Sequence, residues 1–340
     1  MKNLFFGKSI FLTGGTGFFG KNILKNIGVA NKAYSSDIRV TILSRNPDRF
    51  VNEFPELVKG HKVSFISGDI RNFVLPSSIK FDYVIHGATE ASAKLEKENP
   101  KEMYSVVVDG TKHLLKQIKG RGVDRLLFIS SGAVYGEQPP ELSHIHENFP
   151  CAPVTSYGKG KVEAEKLCLN SAIPNSIARC FAFVGPYLPL DTHFAIGNFI
   201  LNGLKNEPII IKGDGRPYRS YMYADDLAEW LWTILINGKN GEAYNIGSEE
   251  AISIANLAHL VSSCFDSKPE VKILGIPIQR STLNTQHLIH HEPRTTNHKS
   301  STNLPSRYVP STHKAQKELG LALHTNLKDA ILKTIKLHNY

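Results

Sequence analysis

The sequence predicts an α/β fold: a doubly wound parallel sheet carrying a smaller C-terminal lobe. Two observations predict it. Short β-branched or apolar runs at 9–13, 39–43, 63–67, 83–86 and 126–130 alternate with helix-periodic stretches, among them 19–27, 102–118 and 159–171. Strands alternating with helices imply βαβ units, right-handed crossovers and a parallel sheet. From about residue 181 the pattern loosens into Gly185-Pro186, Pro189 and Gly213-Asp214-Gly215, with helical stretches at 225–235 and 254–264. The expected division is a sheet domain over 1–180, with return segments near 225–247, and a second lobe over most of 181–340.

Composition bounds the function. The chain has 340 residues, 41% hydrophobic against 21% charged, which is enough for a core and excludes a disordered chain. Its 26 glycines and 18 prolines have no period, which excludes a fibrous one. Apolar runs such as 106–108 and 209–211 are too short to cross a bilayer, so no membrane association is expected. No signal peptide accompanies Lys2 and Lys8, and the expected location is the cytoplasm. Cys151, Cys168, Cys180 and Cys264 have no C-x-x-C spacing and read as reduced thiols in or near the core.

The formal net charge is +9, but the basic residues are spread along the chain rather than massed in a stripe with aromatics. No nucleic-acid partner is expected; a cationic surface suits a phosphorylated small substrate equally well. Residues 279–306 are rich in Thr, Asn, Ser and His and read as a mobile polar surface loop. His287, His290, His291 and His298 lie in it without a carboxylate or cysteine at convincing spacing, so no metal is expected.

The first strand runs into Thr13-Gly14-Gly15-Thr16-Gly17-Phe18-Phe19-Gly20 and then a helix, the context in which such a motif binds a dinucleotide. Gly14 and Gly15 permit a tight turn, Gly17 lets backbone approach a pyrophosphate, and Gly20 lets the helix pack on the sheet. The free N–H groups and positive dipole end of that helix would face the phosphates. The cofactor residues are therefore expected over Gly14, Gly15, Thr16, Gly17, Phe18, Phe19 and Gly20 of a Rossmann-type domain.

The residues just after the second strand select the dinucleotide. A carboxylate there would hold the ribose hydroxyls of NAD, whereas an arginine accommodates the extra phosphate of NADP. Here the strand ends Ser44-Arg45-Asn46, with no acid before Asp48, which favours NADP over NAD. The alternatives are an Arg45 that faces solvent, or one stacked on adenine with NAD bound. After the third strand, Asp69 is placed to accept from the adenine amino group.

A fifth strand ends in Ser130-Ser131, continuing into Gly132-Ala133-Val134-Tyr135-Gly136. Tyr157 and Lys161 come later, four apart at a helix start and so on one face. An ammonium beside a phenol favours phenolate, which would lower the tyrosine's pKa from about 10 and make Tyr157 an acid/base with Ser131 holding the same oxygen.

Together these residues resemble the extended short-chain dehydrogenase/reductase superfamily, in its NAD-dependent epimerase/dehydratase branch. The resemblance runs over 13–20, Asp69-Ile70, His86-Gly87-Ala88, 130–136, 157–161, Gly185-Pro186, 213–226 and Tyr308-Val309-Pro310. It implies an enzyme acting on a nucleotide-diphosphate sugar, with Ser131, Tyr157 and Lys161 catalytic and Ile70, Gly87, Ala88 and Lys161 also at the cofactor. Substrate contacts would be Ser131, Tyr157 and, at the diphosphate, Arg219. It also implies a homodimer, with 102–118 and 159–171 pairing across a two-fold axis through residues such as Met103, Val106, Val107, Leu114, Val162, Leu167 and Leu169.

This chain departs from that pattern in two places. The 4,6-dehydratases carry Asp-Glu directly after the serine or threonine, and here those positions are Gly132 and Ala133, which transfer no proton. The 4-epimerases often carry Asn in the strand after Arg179, where this chain has Ala182. The leading expectation is a 4-ketoreductase, with a 4-epimerase retaining NAD as the alternative. A 4,6-dehydratase and a non-catalytic cofactor-binding protein rank below both.

Overall fold

In a computed structural model, residues 6–89, 93–192, 194–275 and 304–338 are described. The five predicted strands form as β1 (Ser9–Thr13), β2 (Arg39–Ser44), β3 (Val63–Ser67), β4 (Tyr83–His86) and β5 (Arg125–Ser131), and a sixth that was not predicted follows as β6 (Asn175–Cys180). Short strands come after them: β7 (Phe183–Val184), β8 (Ile209–Ile211), β9 (Tyr218–Arg219), β10 (Met222–Tyr223), β11 (Glu242–Ile246), β12 (Ile252–Ser253), β13 (Val271–Ile273) and β14 (Arg307–Tyr308). A seven-stranded sheet in the order β11-β6-β5-β4-β1-β2-β3, parallel throughout, confirms the doubly wound Rossmann-type fold.

The sheet is apolar on both faces because both are covered. β4 and β6 are buried at every position, as a parallel strand between helical layers requires. The helices are α1 (Phe18–Tyr34), α2 (Pro47–Glu53), α3 (Ala93–Glu98), α4 (Pro100–Ile118), α5 (Ser156–Leu169), α6 (Ala195–Leu204), α7 (Ala224–Asn237), α8 (Ile254–Ser262), α9 (His313–Leu319) and α10 (Leu327–His338). One core gathers Ile10, Leu12, Ile23, Ile42 and Trp230 from β1, β2, α1 and α7. On the opposite face Phe11, Val84, Leu114, Leu126 and Ala164 pack with α4 and α5. A third cluster, including Ile196, Ile209, Leu257 and Ile331, joins α6, β8, α8 and α10 beyond the main sheet.

Strand order reverses between β1 and β4, so a crevice opens at their carboxyl ends, where ligands of such sheets bind. There Thr13 Oγ1 meets His86 Nδ1 at 2.7 Å, and His86 Nε2 meets Thr111 Oγ1 of α4 at 2.9 Å. Burial pushes the His86 pKa down to about 3, so the ring is a neutral strut under the crevice.

Two expectations need correction. Cys168 and Cys180 are buried and Cys264 is half-buried, but Cys151 lies on the surface, in the coil before α5. The helix expected at 159–171 begins instead at Ser156. Thr155 Oγ1 accepts from Gly158 N at 3.0 Å, and the Glu96 carboxylate of α3 accepts from Ser156 N at 2.7 Å and Tyr157 N at 2.9 Å. Of the polar segment 279–306, all but 304–306 lie outside the described residues, including its four histidines. Among the described residues no group of three metal-ligating side chains is present, and no helix is long and apolar enough to cross a membrane.

Candidate active site

The glycine turn is built as its sequence requires. Gly14 has φ +75°, and a Cβ there would meet Gly87 O at 2.4 Å and Ala88 N at 2.8 Å, so the β1 and β4 turns touch. A Cβ on Gly20 would strike the Gly15 backbone at 2.3 Å, which is how α1 packs against the turn. Gly17 differs: its Cβ would meet nothing nearer than Gly14 O at 3.5 Å, so the fold itself leaves room for a side chain there.

Gly17 is also the N-cap of α1. No side chain caps it and the first turn holds no acid, so the amides after Gly17 offer positive potential undiminished by the chain's own carboxylates. The rings of Phe18 and Phe19 pack inward, Phe19 edge-on to Phe183 at 5.1 Å, and Thr16 is half-buried beside the turn. This cradle fits the phosphates of a dinucleotide.

The adenosine end is less uniform. Ser44 is buried and its Oγ accepts from Asn46 N at 3.2 Å, whereas Arg45 is exposed. Asp69 takes three hydrogen bonds from Arg71, from N at 2.9 Å, Nε at 2.8 Å and Nη2 at 3.0 Å. A carboxylate has about four lone-pair sites, so Asp69 keeps capacity for one further donor. The Arg71 guanidinium holds its carboxyl below the usual range, and Arg45 adds to that from nearby. Ile70 is buried against Gly110 of α4, while Ala88 N donates to Thr13 Oγ1 at 3.2 Å.

The catalytic candidates converge where β5 meets α5. Ser131 ends β5 in extended backbone, and its Oγ accepts from Ala133 N at 3.2 Å. Tyr157 stands in the first turn of α5, half-buried, with the Ser131 side chain near enough to draw its pKa down. Lys161, one turn on, is buried; its Nζ donates to Ile129 O at 2.8 Å and lies 4.9 Å from the Phe128 ring centre. Burial pushes the Lys161 pKa down to about 8.

The expected phenolate is not what this arrangement holds. Burial pushes Tyr157 well above the usual phenol range, outweighing the opposite pull of the Ser131 side chain. Lys161 Nζ lies 5.6 Å from the Tyr157 ring centre, and one of its three N–H groups donates to Ile129 O. Tyr157 is therefore a protonated phenol at neutral pH, set up to give a proton.

Glu96 and Arg307, which sequence reasoning missed, and Tyr308, named there only within Tyr308-Val309-Pro310, also lie in this region. Glu96 caps α5 and fixes Tyr157 from α3. Tyr308 of β14 packs its ring against Phe181, centres 4.7 Å apart and planes tilted by 36°, and places its hydroxyl 2.7 Å from where a Gly132 Cβ would stand. Arg307 packs its guanidinium 4.5 Å from the Tyr218 ring centre, with a buried Nε that has no hydrogen-bond partner among the described residues. Arg219 is half-buried on β9, in register with Tyr308 of β14, and its Nη1 donates to Tyr218 O at 2.7 Å. Only the spacing of Tyr308-Val309-Pro310 hinted at β14.

Ser131, Tyr157 and Lys161 thus come together where β5 meets α5 on a Rossmann-type sheet whose first strand leads into the glycine turn. The profile of the NAD dependent epimerase/dehydratase family matches residues 10–247, and the chain belongs to that family of enzymes. It is 28% identical over 279 residues to UDP-glucuronic acid decarboxylase 1 of Xenopus tropicalis, 79% of this chain and 63% of that protein. The chain thus spans less than two thirds of that relative. It is 31% identical over 261 residues to a putative UDP-glucose 4-epimerase of Methanocaldococcus jannaschii, 74% of this chain and 81% of the other.

Solved structures share the fold throughout. The UDP-N-acetylglucosamine 4-epimerase of Methanobrevibacter ruminantium superposes with a TM-score of 0.79 at 21% identity, covering 100% of this chain and 99% of that one. The UDP-glucuronic acid 4-epimerase of Bacillus cereus, solved with NAD, gives 0.75 at 22% identity over 97% and 96%.

Proposed function

We propose that the protein is a nucleotide-sugar 4-ketoreductase. The observation that carries this reading is at the end of β5: among the described residues Tyr157 is held protonated beside Ser131, while the two positions after Ser131, where the dehydratase acid/base pair would stand, are Gly132 and Ala133. Such a site serves redox chemistry at one carbinol carbon and lacks the second acid/base pair that dehydration needs. The relatives named for UDP-sugar substrates support the substrate class, and the +9 charge suits a diphosphate.

The turn at Gly14, Gly15, Thr16 and Gly17, with the amides at Phe18, Phe19 and Gly20, would hold the cofactor's pyrophosphate. Ser44 and Arg45 would hold its 2′-phosphate, Asp69 the adenine, and Ile70, Gly87 and Ala88 would line the ring's approach. A bound nicotinamide supplies the hydride. Ser131 hydrogen-bonds the sugar's C4 oxygen and Tyr157 protonates it. Lys161 keeps positive charge behind the phenol as its proton leaves, while Arg219, with Arg307, grips the diphosphate.

A second reading, 4-epimerase with retained NAD, is favoured by the named epimerase relatives. Release of the bound dinucleotide by denaturing purified protein separates the two. Loosely held NADP supports the reductase, and tightly held NAD moves the assignment to the epimerase.

We also propose a cytoplasmic homodimer through α4 and α5. Met103, Val107 and Leu114 are spent on the chain's own core and Val106 and Val162 pack partly against it, so the outer face rests on half-buried Leu167 with exposed Tyr104 and Leu169. Light scattering at micromolar concentration should give a dimer mass; a monomer would remove the proposal.

A further inference from the structure

We infer that His86 is a positioning residue of the cofactor crevice: its ring, in the Nε2–H tautomer alone, makes the Thr13 hydroxyl present a lone pair to Ala88 N and so fixes the turn after β4 against the glycine turn. This rests on the reading of that crevice as the dinucleotide site. Thr13 and His86 are register partners on β1 and β4, where strand order reverses. Both are buried, as is Thr111 of α4 at the other ring nitrogen.

The hydrogens along this line have one arrangement. Thr111 Oγ1 lies 2.6 Å from Val107 O, and a carbonyl only accepts, so the Thr111 hydrogen is used there. His86 Nε2, 2.9 Å from the same Oγ1, must then be the donor. A neutral ring carries one N–H, which leaves Nδ1 bare, and the Thr13 hydroxyl 2.7 Å away must donate to it. With its hydrogen so committed, Thr13 Oγ1 turns a lone pair to Ala88 N at 3.2 Å. Both ring nitrogens and both hydroxyls are then satisfied, as burial requires.

The ring is held neutral. A doubly protonated imidazole would donate to Thr13 as well, fill the second lone pair of Oγ1 beside Ala88 N, and turn the Thr13 hydrogen away from this line. It would also set a second buried cation near Lys161, across the Phe128 ring, whose centre is 5.4 Å from that of His86 and 4.9 Å from the ammonium. Burial and the Lys161 charge together push the ring's pKa down to about 3.

The consequence falls on the cofactor side. Thr13 O accepts from Gly87 N at 3.0 Å and Thr13 Oγ1 from Ala88 N, so the last residue of β1 holds two successive amides of the β4 turn. Gly14, the next residue, passes so close that a Cβ there would stand 2.4 Å from Gly87 O. With that little clearance the β4 turn cannot shift without displacing the glycine turn. His86 acts on this junction through Thr13, from beneath the crevice.

The test uses full-length protein with 15N-labelled histidine at pH 7, without cofactor, the His86 ring signals being assigned by their loss in His86→Phe. Wild type should show hydrogen on Nε2 and a bare Nδ1. Hydrogen on Nδ1, alone or together with Nε2, overturns the inference. Amide exchange reads the consequence. Ala88 N–H should exchange about tenfold faster in Thr13→Val and His86→Phe, and near the wild-type rate in Thr13→Ser. An Ala88 amide as protected in His86→Phe as in wild type overturns the inference too.

The cofactor arm titrates NADP and NAD. Thr13→Val and His86→Phe should each weaken binding about two- to tenfold, Thr13→Ser should bind as wild type does, and the double variant of Thr13→Val with His86→Phe should lose no more than either single. Unchanged affinity in either single variant, or losses that add in the double, would make the two residues independent and overturn the inference. Wild-type protein that binds neither dinucleotide would instead defeat the reading of the crevice, while the resonance and exchange arms, run without cofactor, still decide the inference.

Discussion

Lys161 holds its ammonium 5.6 Å from the centre of the Tyr157 ring, one turn along α5, and directs a hydrogen bond to the Ile129 carbonyl at 2.8 Å. The pair is close enough for the charge to stabilise a phenolate as it forms, and it leaves the resting phenol protonated. Tyr157→Phe should therefore lower reductive turnover by about 10²–10⁴-fold, while thermal unfolding and dinucleotide binding stay near wild type. Steady-state kinetics on the purified variant check this. Near-normal turnover would remove Tyr157 from the chemistry.

Lys161 itself makes a stability prediction with a definite sign. Its folded pKa is about 8, below the ordinary 10.5, so between those values the folded protein binds fewer protons than the unfolded chain. Stability contributed through Lys161 then rises with pH across that window. Measured against Lys161→Met, wild type should gain stability from pH 8 towards 10, and the variant should be no less stable at pH 7 although inactive. Urea unfolding of both proteins at several pH values reads the difference. A wild-type stability that fails to grow relative to the variant as pH rises contradicts it.

Behind the site, Glu165 of α5 pairs with Arg179 of β6, Oε2 to Nη2 at 2.8 Å, and accepts from Ser130, the neighbour of Ser131. Both side chains are buried, so Glu165→Gln leaves Arg179 charged in the core at a cost of about 3–5 kcal/mol. Replacing both, as Glu165→Leu with Arg179→Met, should recover much of that loss. Chemical denaturation of the single and double variants decides it; equal losses would mean that the pair adds more than charge balance.

Arg45 tests the cofactor preference. If it holds the 2′-phosphate, Arg45→Ala should weaken NADP binding about ten- to a hundredfold and NAD binding little, the effect shrinking as salt rises. Titration of both proteins with both dinucleotides reads this directly. Equal losses would make Arg45 an adenine-stacking or loop residue. No loss for either would leave it facing solvent, and the epimerase would then lead.

The fold was legible where local signals and tertiary demand agree. The first five strands, the glycine turn and the Tyr157–Lys161 spacing all announce themselves within a dozen residues. What the sequence hid depends on long-range pairing. Nothing near 308 says that β14 will lie beside β9, and nothing near 96 says that Glu96 will cap α5. The phenolate expectation failed for a related reason: four-residue spacing shows that two side chains share a face, but not that the ammonium will turn to Ile129 or that burial will dominate the phenol.

The most direct test of the account reduces a nucleotide-linked 4-keto-6-deoxyhexose in D2O with cofactor carrying deuteride at nicotinamide C4, and maps the label by NMR. One proton-transfer group at the C4 oxygen, with Gly132 and Ala133 unable to act, predicts deuterium from the cofactor at sugar C4 and no solvent deuterium on any carbon. Solvent deuterium at C5 or C6, or no deuterium from the cofactor at C4, would contradict it.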